Sequence, residues 1–183
     1  MTGTRHRTAL TDELGSGLLA ELASLFEEAG GAPIGEMLER IGPGVHVMAE
    51  AGGRIVSHAM IVDRAAYVGH EADQAIDVGY VELVATRAAL TGSGVDASVL
   101  SEVGRIIRDE YALGALSTAE PSPYEALGWQ AWAGLTLART ADGELVRTSE
   151  ADGLVMVLRT LRTPPHLDAD GPIAIDWRPG ALW

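Results

Sequence analysis

The chain has no cysteine and no lysine. Without cysteine there are neither disulfides nor thiolate chemistry, a composition that fits a cytoplasmic protein. Without lysine, all 13 basic residues are arginine, which reads as the coding bias of a GC-rich genome rather than as function. It also removes the cation on which a P-loop depends. No apolar run reaches the length of a membrane span. The opening MTGTRHRTAL is basic but no apolar stretch follows it, so it does not read as a secretory signal. Against the 13 cations stand 26 carboxylates, a net charge of −13. That balance argues against a nucleic-acid backbone as partner, which needs clustered cations. It suits a cationic ligand, and equally a protein whose charge only keeps it soluble.

What is present is enough for one sizeable core. With 183 residues, 47% of them hydrophobic, the chain is expected to be a single domain over 1–183. LTDELGSGLLAELASLFEEAG sets Leu14, Leu18, Leu22, Leu25 and Phe26 at helical spacing, with Thr11 or Asp12 as the expected cap and Gly30-Gly31 as the stop. IGEMLERIG reads as a second, short helix. HVMAEAGGRIVSHAMIVD reads as two strands around a Gly-Gly turn, with His58 a strand residue whose ring is satisfied. Strand character continues to Arg87. A turn at 91–94 and a helix over 95–110 follow, with Val95, Val99, Val103 and Ile106 or Ile107 on one face. LGALSTA is a buried strand and PSPYEALGW a short helix closed by Gly128. AWAGLTLAR and GLVMVLRTL are late strands separated by a polar loop at 140–152. The tail DWRPGALW carries two of the four tryptophans. This order predicts an α/β fold around one mixed sheet.

The informative stretch is GYVELVATRAALTGSGVDASVL, residues 79–100. A strand, a Gly-bearing turn and a helix start together present free backbone N–H groups and a positive dipole end, which suits a pyrophosphate. Gly92 and Gly94 permit close approach. Taken alone, the turn is equally an ordinary strand-to-helix connection. Glu82 adds to it: a carboxylate among Tyr80, Val81, Leu83 and Val84 is either the outer face of a half-buried strand or a general base. Tyr124 is either a core tyrosine with a satisfied hydroxyl or a proton donor. The five histidines, 6, 46, 58, 70 and 166, show no metal-ligand spacing.

The order strand, Gly turn, helix, strand and Y-x-x-x-G-W resembles the acetyl-CoA-binding core of the GNAT N-acetyltransferases. GYVELVATRA, LGALS, YEALGW and the terminal DWRPGALW together resemble the aminoglycoside 2′-N-acetyltransferases, a family with a kasugamycin-acetylating branch. The similarity runs from about residue 45 to the C-terminus. It implies a GNAT-type mixed central sheet flanked by helices, and acetyl-CoA as co-substrate without a metal. It also implies a cationic aminoglycoside substrate whose acetylation confers resistance, and a homodimer, with no nucleic-acid or membrane partner. Carried over residue by residue, Glu82 takes the ammonium proton through water and Tyr124 protonates the departing thiolate. Val84 and Thr86 pair with the pantetheine arm, and the Val84 N–H polarises the thioester. Thr91, Gly92, Ser93, Gly94 and Val95 form the pyrophosphate loop, with Arg87 beside it. Leu83, Ser117, Asp152, Asp176, Trp177 and Trp183 line the aminoglycoside pocket, and Glu36 and Glu39 are the nearest N-terminal carboxylates. The loop departs from the GNAT pattern: TGSGVD has Thr91 where Arg or Gln is usual and Asp96 where a small residue is usual. Two other readings stay open, an acetyltransferase for another small amine or a protein N-terminus, and a degenerate ligand-binding chain that no longer catalyses.

Overall fold

The computed structural model describes residues 4–69, 72–178 and 182–183. It begins with a strand that the sequence pattern does not announce. β1, Arg5–Leu10, buries only Ala9, and its stability comes from antiparallel pairing along its whole length with β2, Val45–Ala51. Between them lie α1, Ser16–Glu28, and α2, Ile34–Ile41. α1 starts from Gly15 and not from a Thr11 or Asp12 cap. Thr11 is spent elsewhere: its hydroxyl accepts the Gly44 N–H at 2.9 Å and meets His46 Nε2 at 3.1 Å.

The long strands follow. β3 is Arg54–Val68 and β4 is Gln74–Thr86. α3, Val95–Glu110, leads to β5, Leu113–Ser117, and α4, Ser122–Glu125. The remaining strands are β6 Gln130–Ala131, β7 Thr136–Arg139, β8 Leu145–Arg147, β9 Val155–Arg159 and β10 Ile173–Asp176. β8 forms inside the stretch expected to be a polar loop; its three side chains are exposed, so only its pairing to β7 makes it a strand.

Two compact units divide the chain: Met1–Val62 with Val81–Val103, and Asp63–Tyr80 with Gly104–Trp183. In the first, β2 pairs antiparallel with the start of β3. Leu22, Leu25 and Phe26 of α1 and Ile34 and Met37 of α2 bury against Met48, Ile55 and Ala85. This is the apolar face that the helical spacing predicts. In the second unit the strand order is β6-β9-β5-β4-β3-β10-β7-β8. β4 with β5 and β7 with β10 are parallel, while β5–β9, β6–β9, β7–β8 and β3–β10 are antiparallel. The expected mixed sheet flanked by helices is therefore present. Its core gathers Val78, Tyr80, Leu113, Trp132, Val157, Ile173 and Ile175.

The parallel pair is built for close helix packing. Gly79 of β4 stands opposite Gly114 of β5. A Cβ at Gly79 would lie 2.8 Å from the Tyr111 ring and 3.0 Å from Ile107 of α3, and one at Gly114 would lie 3.0 Å from Ile107, Leu158 and Trp129. Two adjacent glycines thus let the helix lie directly on the strands. Replacing Gly79 with valine is expected to cost about 1–3 kcal/mol through overpacking, measured as a fall in the urea midpoint with an unchanged m-value.

Candidate active site

The second half of β4 does not behave as a regular strand. Val78 to Val81 are buried, Glu82 and Leu83 are half-buried, and Val84 is 42% exposed. The cause is Leu83, a non-glycine residue with φ +52°. Such a residue breaks the two-residue alternation and costs on the order of 1–3 kcal/mol. Two buried imidazoles lie against it. His58 Nδ1 lies 2.7 Å from the Leu83 carbonyl and His58 Nε2 lies 2.9 Å from His46 Nδ1. A carbonyl only accepts, so Nδ1 of His58 carries the proton and Nε2 is the acceptor. His46 then donates from Nδ1, and its Nε2 takes the Thr11 hydroxyl. Both rings are fully buried, and the Phe26 ring packs edge-on against His58 with centroids 5.5 Å apart.

Beyond Leu83, the Thr86 and Ser57 hydroxyls meet at 2.8 Å. Arg87, expected beside the turn as a cation, is buried: Nε donates to the Ile55 carbonyl at 2.8 Å and Nη1 to Glu28 at 2.6 Å. Its charge is therefore used to pin α1. The turn itself is open. Thr91, Gly92, Ser93 and Gly94 are exposed, Val95 is buried, and Gly92 and Gly94 take φ +74° and +90°. Among the described residues, no atom beyond the adjoining residues lies within 4 Å of where a Cβ would stand at either glycine. Asp96 Oδ2 accepts the Gly92 N–H at 3.3 Å, and Oδ1 accepts from Ala97. The departure from the family's loop pattern thus puts a carboxylate on one of the backbone donors. Glu36 and Glu39 are exposed on α2. A cavity of about 490 Å³ between α1 and α2 includes Glu27, Pro33 and Ile34, and Glu27 had no motif to mark it.

The second unit holds the other expected site residues. Tyr124 on α4 is buried, edge-on to Trp129 at 6.1 Å. Burial, with Glu120 nearby, raises its phenol above the ordinary value, so it is protonated at neutral pH. Ser117 ends β5, opposite Val155. Asp152 is already engaged: Arg147 forks onto it, and it accepts from the Thr136 N–H at 3.1 Å and the Thr136 hydroxyl at 2.8 Å. The Arg147 contact, then Thr136, holds its carboxyl well below the usual range. Asp176 and Trp177 line a cavity of about 460 Å³ with Asp142, Tyr67 and Arg139, whose guanidinium lies 4.3 Å from the Tyr67 ring centroid.

The end of the chain folds back within this unit. Buried Arg64 donates from Nε to Asp176 Oδ1 at 2.8 Å, from Nη2 to the Asp176 carbonyl, and from Nη1 to the Leu182 carbonyl at 3.0 Å. Trp183 Nε1 lies 3.0 Å from Thr148 Oγ1 and 3.2 Å from the Leu137 carbonyl. Arg64 drew no attention in the sequence, because a single arginine in a long strand carries no motif. Among the described residues, no group of three metal-ligating side chains converges. Among the described residues, no helix is long and apolar enough to cross a membrane.

No protein-family profile matches the chain. It is 34% identical over 143 residues to an aminoglycoside 2′-N-acetyltransferase from Mycolicibacterium fortuitum, covering 76% of this chain and 71% of that protein. The fold is similar to that of a GNAT family N-acetyltransferase from Escherichia coli in complex with CoA. The TM-score is 0.67 and the identity 13%, over 97% of this chain and 91% of that one. A GNAT acetyltransferase from Brucella melitensis in complex with acetyl-CoA matches at TM-score 0.59 and 12% identity, over 98% of both chains.

The neutral imidazole pair predicts acid sensitivity. Burial pushes His46 down to about 4 and His58 to about 3, below the unfolded value of about 6.5. The unfolded state therefore takes up protons first, and stability falls as pH drops from about 6.5 toward 4. Each imidazole contributes up to about 1.4 kcal/mol per pH unit. Urea midpoints across that range are expected to fall more steeply in the natural protein than in a His46→Gln/His58→Gln variant.

Proposed function

This chain belongs to the aminoglycoside 2′-N-acetyltransferase family, and from that premise we propose that it transfers an acetyl group from acetyl-CoA to the 2′-amine of an aminoglycoside. The reading takes residues 1–183 as one acetyltransferase domain. The observation that carries it is the break in β4 at Leu83, which leaves a half-buried carboxylate and an exposed Val84 on either side of one strained residue.

The substrate arrives as an ammonium and is not a nucleophile until it loses a proton. Glu82 takes that proton through a water. The free amine attacks the thioester carbonyl and forms the C–N bond. The Val84 N–H stabilises the oxyanion, a donor set in place before the reaction begins. The C–S bond breaks, and the thiolate takes a proton from Tyr124. Val84 and Thr86 align the pantetheine arm, and the backbone of 91–95 receives the pyrophosphate. Asp142, Asp176 and the Trp177 ring offer a polycationic sugar both charge and an apolar wall, while Glu36, Leu83, Ser117 and Trp183 complete the substrate contacts. Asp152 serves through Arg147 and Thr136, because its charge is already compensated.

Acetylation removes a charge from the antibiotic, which is the basis of resistance. Kasugamycin enters as a candidate substrate on the resemblance to that branch. Acetyl-CoA is made in the cytoplasm, where we place the protein, as a homodimer. A second reading, a chain that binds but no longer catalyses, draws its support from Asp96 on the Gly92 N–H.

Release of free thiol from acetyl-CoA with a panel of aminoglycosides, kasugamycin among them, tests the reaction. Turnover with at least one is expected, whereas CoA binding without turnover on any amine supports the second reading. Glu82→Gln is expected to lower kcat/KM at neutral pH by about 10²–10⁴-fold and to lose less at high pH, where the free amine is abundant. A pH profile unchanged from the natural protein removes Glu82 from the mechanism. Asp96→Ala frees the Gly92 N–H and removes a like charge, so acetyl-CoA should bind about fivefold tighter by calorimetry, roughly 1 kcal/mol.

A further inference from the structure

We propose that His58, backed by His46, is a positioning residue for acetyl transfer: it fixes the Leu83 carbonyl and with it the left-handed residue between Glu82 and Val84. The proposal rests on the roles given above to Glu82 and the Val84 N–H.

A buried imidazole is a poor choice for filling space. It carries two polar nitrogens, each of which needs a partner when water is excluded. The chain meets that demand with a second buried imidazole and a threonine, so that one polar chain runs Thr11, His46, His58, Leu83 at 3.1, 2.9 and 2.7 Å. Its direction is set at one end, because the Leu83 carbonyl can only accept. The shortest contact is the one on the strained residue, whose φ of +52° an L side chain rarely adopts. That residue determines where the flanking groups point. The peptide of the Leu83 carbonyl is the same rigid unit that carries the Val84 N–H. A donor that holds the carbonyl on one side therefore aims the N–H to the opposite side. Rotating that peptide by relaxing Leu83 toward the extended region would swing the N–H away and turn Glu82 relative to it. A small misplacement of a preorganised donor is expensive in rate and cheap in binding.

The test compares His58→Phe, which keeps the bulk and ring but removes the donor, with His58→Asn, which loses bulk but keeps an amide N–H near the position of Nδ1. The proposal expects stability and activity to rank in opposite orders. His58→Phe should melt at the higher temperature of the two yet lose at least about tenfold in kcat, with acetyl-CoA affinity nearly unchanged. His58→Asn should melt lower yet retain more kcat. His46→Phe should shift kcat in the same direction by less. Activity that simply tracks melting temperature, or a natural kcat in His58→Phe, overturns the proposal. If the phenylalanine variant does not fold, His58→Leu against His58→Asn asks the same question at matched size. A second readout does not depend on turnover: the HN–Hα coupling of Leu83 and the amide shift of Val84 by NMR. The coupling should rise toward the extended value in His58→Phe and stay near that of the natural protein in His58→Asn. If the natural protein acetylates no aminoglycoside, the proposed function fails. The coupling then decides the positioning role by itself, and an unchanged coupling in His58→Phe rejects it.

Discussion

A leucine held at φ +52° inside a strand is a constraint the surroundings must supply, and one chain of buried polar contacts in the first unit ends on its carbonyl. The polar chain that reaches the Leu83 carbonyl crosses from β2 through β3 to β4, and it starts at a threonine outside the sheet. This explains why Thr11 does not cap α1: its hydroxyl is committed to Gly44 and His46. It explains why two histidines stand where the burial pattern would accept valine or methionine. It also explains how one strand buries Val78 to Val81 and then exposes Val84 within a few residues.

The arginines are used in a second, related way. A guanidinium presents several donors in a rigid fork and stays charged when buried, so one side chain can tie separate segments. Arg87 joins the Ile55 carbonyl to Glu28 of α1. Arg64 holds both ends of the terminal stretch through Asp176 and Leu182. Arg147 closes on Asp152 beside Thr136. In a chain without lysine, cations are few and these are structural ties. Other carboxylates, such as Glu36, Glu39 and Asp142, are exposed.

Much of the architecture was legible in the sequence. The spacing of Leu22, Leu25 and Phe26 placed a helix face that is buried. The Gly-Gly turn marked the β2–β3 hairpin, and Gly92 and Gly94 marked the turn before α3. The same glycines, with Glu82, Tyr124 and the Trp-bearing tail, carried the resemblance to acetyltransferases. β1 and β8 were not legible, because their side chains are mostly exposed and show no alternation; each exists through hydrogen bonds to a partner strand. Arg64 was silent for a similar reason: a lone polar residue in a strand has no local signature, and its partner Asp176 lies 112 positions along the chain; His46 and His58 share one hairpin, but their spacing there carries no motif.

By itself the sequence determined the fold class, the helix faces, the turn and the types of residue available for acid–base chemistry, because these follow from local spacing and composition. The tertiary structure alone decided how those residues are used. It turned Arg87 inward, placed Asp96 on the Gly92 N–H, paired Asp152 with Arg147 and put the left-handed kink at Leu83. Two of these, the burial of Arg87 against Glu28 and the imidazole chain to Leu83, join residues separated by 59, 35, 12 and 25 positions. Apart from the His46–His58 pair, which one hairpin contains, the partners of these contacts lie in separate elements, and their energy exists only once the fold has brought them together.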